Sequence, residues 1–281
     1  MITRHRTARI PLAPLFFLLL TWGVLSGRLA AQDSEISVMV QVAGQVGQVT
    51  TASQEANFSV RPSSPLNLIL RCLNNATGQV IPFCDLSLTW QARANSGGHN
   101  HHSSSRPKGT FAPASGNSGA SGQLPTTYTS PDPSGIIDIT VRGTLPNGTP
   151  VNPASYTIGV EIPDLVVLVE GANYDLVGET GTHPVNHYGT PTFVGMLKTV
   201  AGSYAAAFPG QILSYNDMSM PYGGLFDINA NWSPPHREHR TGQSCDLRLV
   251  PARQRARLLQ LLTAAGFGRT FKEGDHWHIR E

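Results

Sequence analysis

The residues best suited to chemistry lie in two stretches near the carboxyl end, HREHRTGQSCD (His236 to Asp246) and GDHWHIRE (Gly274 to Glu281). Zinc takes imidazole nitrogen and carboxylate oxygen, and a catalytic site uses three protein ligands with a fourth position left for water. His239 and Asp246 are separated by six residues, with Gly242 between them. That spacing fits two ligands where a loop turns at the glycine into a strand bearing the aspartate. His276 and His278 are two apart, and on a strand both side chains face the same side. Asp275 stands three before His278. A structural zinc usually has four protein ligands and favours cysteine. Three good ligands, an extra histidine and an acid describe an open site instead.

These motifs resemble a known family. HREHRTGQSCD looks like the H-x-x-H-x-x-G-x-x-x-D signature of the penicillin-insensitive murein endopeptidases. The H-x(6)-D core with a terminal H-x-H is shared by the wider group that includes the zinc D-Ala-D-Ala carboxypeptidases, the D-Ala-D-Ala dipeptidases and the hedgehog signalling domain. NDMSMPYGG (Asn216 to Gly224) and DHWHIR are similar to the flanking and closing segments of the endopeptidases. The resemblance covers roughly residues 211–281.

Position by position, the resemblance implies His239, Asp246 and His278 as ligands of Zn2+. His276 would stand beside the metal and stabilise the oxyanion or orient substrate. Asp275 would be the general base, taking a proton from the water that the metal activates and passing it to the leaving amine. The sequence departs from the endopeptidases at Ser244, where they tend to carry an acid, and at Glu273, where they tend to carry histidine. Glu273 therefore stays a second candidate for the base. The implied substrates are peptidoglycan peptides.

Further substrate-binding candidates are His236, which matches a histidine of the endopeptidase motif, and Asp217, with Asn216 beside it. His187, from GTHPVNHYGT with His183, could line the cleft. Arg280, like Arg240 and Arg248, could hold a substrate carboxylate. Each also has a bland reading: a polar loop residue, a turn former or a solvated arginine.

The elements expected to position this site are α+β: a carboxyl-terminal metallopeptidase domain over residues 164–281, with an antiparallel sheet and packed helices. PTFVGMLKTVAGSYAAAF and PARQRARLLQLLTAAG read as its two helices, and SCDLRLV and HWHIR as strands. Before it, residues 32–163 alternate in short β-branched runs separated by Gly, Pro and Asn. That pattern predicts an all-β sandwich, immunoglobulin-like. The Ser/Gly/Pro-rich insert 95–129 is expected to be a mobile loop, and its HNHH (His99, His101, His102) to be solvated, without fixed metal geometry.

Residues 1–31 read as a signal peptide: Arg4, Arg6 and Arg9, a short apolar run, then Ala30 and Ala31. The run is shorter than the roughly 20 residues a membrane span needs, so no permanent span is expected. The mature chain is expected to be secreted or periplasmic. This segment carries four arginines and no acid, so the formal charge without it is −2 rather than +2. Clustered Lys and Arg, the footprint of nucleic-acid binding, are lacking. An oxidising compartment favours a disulfide between Cys72 and Cys84, with Cys245 left as a buried apolar residue. The alternative to a peptidase is a non-catalytic cell-surface binding protein that retains a structural zinc site.

Overall fold

The computed structural model describes residues 35–44, 56–234 and 238–281. The expected signal segment and His236 lie outside them. Apolar alternation makes strand after strand in the first half: β1 (Ile36–Val42), β2 (Phe58–Val60), β3 (Pro65–Asn74), β4 (Val80–Ile81) and β5 (Asp85–Ala92). They are followed by β6 (Thr110–Ala112), β7 (Ser115–Asn117), β8 (Leu124–Thr129), β9 (Gly135–Thr144) and β10 (Pro150–Val160). One sheet runs β1-β3-β8-β6 with β4 beside β3, and the other runs β2-β10-β9-β5-β7. Leu68, Leu70 and Cys72 point inward from β3, and Ile137, Ile139 and Val141 from β9, into one core between the sheets. Burial of each such aliphatic side chain contributes about 1.5–3 kcal/mol.

The stretch 95–129 is not a loop. It carries β6, β7 and β8, and β8 is paired to β3 with Leu66 opposite Tyr128 and Leu70 opposite Leu124. Composition favours a loop there, but the partner strand supplies the hydrogen bonds and Tyr128 is fully buried. Tertiary pairing overrides local propensity.

The second half contains β11 (Val166–Val167), β12 (Tyr174–Leu176), β13 (Tyr188–Gly189), α1 (Pro191–Ala207) and β14 (Leu213–Tyr215). It continues through β15 (Ser244–Arg248), α2 (Ala252–Ala264), β16 (Arg269–Glu273) and β17 (His276–Arg280). The α1 helix begins at Thr190, whose hydroxyl accepts from the Phe193 N–H, with Pro191 at the first turn. Phe193, Leu197, Val200 and Tyr204 of α1 meet Leu258 and Leu262 of α2 over Tyr215, Leu247, Trp277 and Ile279 of the sheet.

This architecture corrects the expected α+β class. Strand outweighs helix, 40% against 15%, with two α-helices and several sheets among the described residues. Nor is the last sheet wholly antiparallel: its order is β12-β14-β15-β17-β16, and β12 pairs β14 in parallel. The reason is local. DLVVLV yields only the exposed two-residue β11, and QILSYNDMSM only the three-residue β14. Much of the backbone between β10 and β15 runs as loops hydrogen-bonded to one another, such as Met218 N–H to the Asn186 carbonyl.

The described residues form one compact unit with two apolar cores. Arg240 holds Asp132 through both guanidinium nitrogens, and the Ile162 N–H donates to the Tyr222 carbonyl at 2.8 Å. Cys72 and Cys84 are buried free thiols rather than the expected disulfide, and Cys72 hydrogen-bonds to Cys84. Among the described residues no helix is long and apolar enough to cross a membrane.

Candidate metal centre

Strand pairing fixes the face on which the site is built. Asp246 lies opposite His278, Arg248 opposite His276, and Ser244 opposite Arg280 across β15 and β17. The intervening Cys245, Leu247, Trp277 and Ile279 go into the core, so alternation turns Asp246, His276 and His278 to the other face. The Asp246 backbone is held on its second side too. Its N–H donates to the Asp217 carbonyl (2.8 Å), and its carbonyl accepts from the Asn216 N–H (2.7 Å).

His239 arrives from the loop before β15. The turn back into the strand passes through Gly242 at φ +73°, where a Cβ would collide with the Leu165 side chain and stand 3.0 Å from Gly189 Cα and Thr190 N. Ser244 Oγ donates to the Glu238 carbonyl at 2.7 Å, tying that loop to the strand.

His239 Nε2 is 3.4 Å and His278 Nδ1 is 2.9 Å from Asp246 Oδ1. One donor atom from each of the three lies within 4.8 Å of the others, and all three residues are buried. Ligands about 2.0 Å from a tetrahedral ion stand about 3.3 Å apart, so the donor set fits zinc. Burial alone would raise the Asp246 carboxyl, but hydrogen bonds from His239 and His278 outweigh it and hold it well below the usual carboxylate range. The His278 Nε2 has no hydrogen-bond partner.

The other expected residues divide. His276 stands at the rim, with Nε2 3.6 Å from both Asp246 Oδ2 and Glu273 Oε2. Asp275 occupies the turn between β16 and β17, exposed, with Oδ1 3.0 Å from His276 Nδ1 and Oδ2 3.6 Å from Arg248. Both candidate bases thus contact His276. Arg280 donates to Glu238 Oε2 at 2.6 Å, and that same oxygen is 3.8 Å from His278 Nε2. Asp217 is buried and accepts from Asn186 Nδ2 at 2.8 Å. His187 is buried, donating from Nε2 to the Val177 carbonyl at 3.0 Å with Nδ1 3.4 Å from Glu179. On the same sheet face a cavity of about 460 Å³ is lined by Glu238, Ser244, Arg269 and Arg280.

Two features escaped the sequence. Glu238, beside His239, bridges Arg280 and His278, and adjacency to a ligand was its one signal. The HNHH segment is not solvated: His99 and His101 are buried. Their H-x-H spacing, the same as that of His276 and His278, was the available clue.

No protein-family model and no curated protein matches the sequence. Among solved structures, the adhesin InvE of Yersinia pseudotuberculosis is similar over 45% of this chain and 32% of the adhesin, at 16% identity and a TM-score of 0.31. The aligned part is thus about a third of the adhesin's length.

Proposed function

We propose that the chain is an exported zinc-dependent peptidase that hydrolyses peptide bonds of peptidoglycan. The observation that carries this reading is the convergence of His239, Asp246 and His278 on one buried point of a sheet face. The motif similarity to the murein endopeptidases supports it, as does the basic and apolar start of the sequence, which lies outside the described residues. Held by these three side chains, zinc would supply Lewis-acid activation of water.

The surrounding residues then have distinct tasks. Asp246 is a ligand kept ionised by its histidine partners. His276, at the rim between Glu273, Asp275 and Asp246, would hold the developing oxyanion or orient the scissile group. Arg269, Arg280 and Glu238 give the neighbouring cavity charges of both signs, suited to short peptides that carry free carboxylates and amines. Chelation and His239→Ala should each abolish muropeptide cleavage followed by mass spectrometry. Full cleavage by the variant ends this reading, and cleavage of casein in place of muropeptides moves it to ordinary proteins.

One observation favours a second reading, a surface binding protein whose zinc is structural. The Asp275 carboxylate lies on His276 and in solvent, while the three ligands are almost sealed. If Asp275→Asn and Glu273→Gln leave every cleavage unchanged while His278→Ala unfolds the protein, the metal serves stability.

A further inference from the structure

A second group of donors lies apart from the first. Two glycines in the turn Ser96–Gly98, Gly97 (φ +69°) and Gly98 (φ +85°), let the chain pass close to Ser134, Met220 and Pro221, where any Cβ would clash. His99 follows in extended backbone, and His101, two residues on, enters the same space. His183 comes from a turn in which its N–H donates to Thr180 Oγ1 (3.0 Å). Asp227 comes from the loop after Phe226. Residues 44 to 128 positions apart therefore meet at one point.

The spacing is that of a coordination shell. His99 Nδ1, His101 Nε2 and His183 Nε2 lie 3.2, 3.3 and 3.2 Å from a single oxygen, Asp227 Oδ1. Four ligands about 2.0 Å from a tetrahedral ion stand about 3.3 Å from one another. The four donor atoms are all within 4.8 Å of one another. His99 and Asp227 are 1% and 0% exposed, and neither ring nitrogen of His99 or His101 makes an aligned hydrogen bond. Buried polar atoms left without partners cost about 1–3 kcal/mol each, and a cation at the centre would satisfy one nitrogen of each ring.

We infer that His99, His101, His183 and Asp227 form a second, four-ligand zinc centre, separate from His239, Asp246 and His278. Imidazole-rich sets suit zinc among the divalent cations, and four protein ligands make it a closed, structural site. Its surroundings agree. Asp227 Oδ2 accepts the Trp232 N–H at 2.5 Å, and the Trp232 ring covers His101 at 4.4 Å between centroids. Such outer contacts orient ligands and exclude water.

The centre cross-links the connection between β5 and β6 to the loops around His183 and Asp227, where the Asn100 N–H already donates to the Thr182 carbonyl (2.8 Å). Phe226 touches both centres, with its ring 5.1 Å from His183 and 6.3 Å from His239. The second ion therefore also steadies the loop side of the first.

Metal titration of the stripped, purified chain tests this, with zinc content and the visible spectrum of the cobalt-substituted protein as readouts. The expected result is about two equivalents, one surviving His239→Ala with the intense absorption of four-coordinate cobalt. Removal of that equivalent by His101→Ala, or by the milder Asp227→Asn, in the His239→Ala background completes the assignment. Saturation at a single equivalent that His239→Ala abolishes overturns it. A single equivalent that survives His239→Ala but not His101→Ala supports the second centre and removes the metal from the proposed peptidase site.

Discussion

Asp246 and His278 face each other across β15 and β17, with Oδ1 and Nδ1 2.9 Å apart. Directly opposed residues of an antiparallel pair keep their Cβ atoms about 4.5–5.5 Å apart, so the ladder sets this separation. Only His239 must be brought in by a loop. Asp246→Asn keeps the shape but removes the charge. It should weaken zinc binding at this centre by more than about 100-fold, a loss beyond that of outer-shell changes. It should also lower the melting temperature of the metal-free protein at neutral pH, because the folded chain favours the ionised carboxylate. Chelator competition measures the affinity, and unchanged binding would show that Asp246 is not a ligand.

Asp275 is exposed and reaches the site only through His276. The His276 hydrogen bond is the main cause of its carboxyl lying below the ordinary value. Asp275→Asn should leave folding intact and, if the pair acts in catalysis, lower muropeptide turnover by about 10²–10⁴-fold. The equivalent loss appearing in Glu273→Gln instead would move the role across the turn.

Gly242 permits the turn that delivers His239, and its carbonyl accepts the Thr190 N–H at the start of α1 (2.8 Å). Gly242→Ala combines a strained φ with a clash against Leu165. Destabilisation of about 1–3 kcal/mol is expected, together with weaker zinc binding. Denaturant melts with and without zinc separate the two effects, and a variant as stable as the parent would mean that the turn adapts freely.

Burial pushes the Glu161 carboxyl up, and a hydrogen bond with Ser59 offsets it only in part. Its Oε1 has no hydrogen-bond partner. A raised folded value means that the fold holds this proton more tightly than the unfolded chain does. The resulting stability is full below the unfolded value of about 4.3 and is lost as pH rises through the folded value. Glu161→Gln should therefore stabilise at about pH 7 by on the order of 1 kcal/mol, with the gain fading towards about pH 4. Equal stability of the two proteins at neutral pH contradicts this.

The Cys72 thiol is pushed up to about 12, mainly by burial and further by its hydrogen bond with Cys84. Little thiolate exists at neutral pH, so alkylation of the reduced native protein should be slow. Cys72, Cys84 and Cys245 are all buried free thiols, so all three should be labelled once the chain is unfolded. Intact-mass analysis after alkylation in denaturant without reductant counts the free thiols. Fewer than three labelled cysteines would mean that a pair had oxidised.

The residue types and short spacings were legible in the chain itself. H-x(6)-D, H-x-H and the alternation of SCDLR and HWHIR put Asp246, His276 and His278 on one side and Cys245 and Trp277 on the other, because strand geometry repeats every two residues. Helix α1 was equally legible from its apolar spacing. What lay beyond sequence were contacts between distant segments. The burial of HNHH depends on His183 and Asp227, far along the chain, and β8 is a strand because β3 pairs with it. The parallel β12–β14 pair and the mostly strand architecture likewise follow from which segments meet. Local propensity cannot register such partners, since the stabilising hydrogen bonds and buried surface arise only when the chain closes on itself.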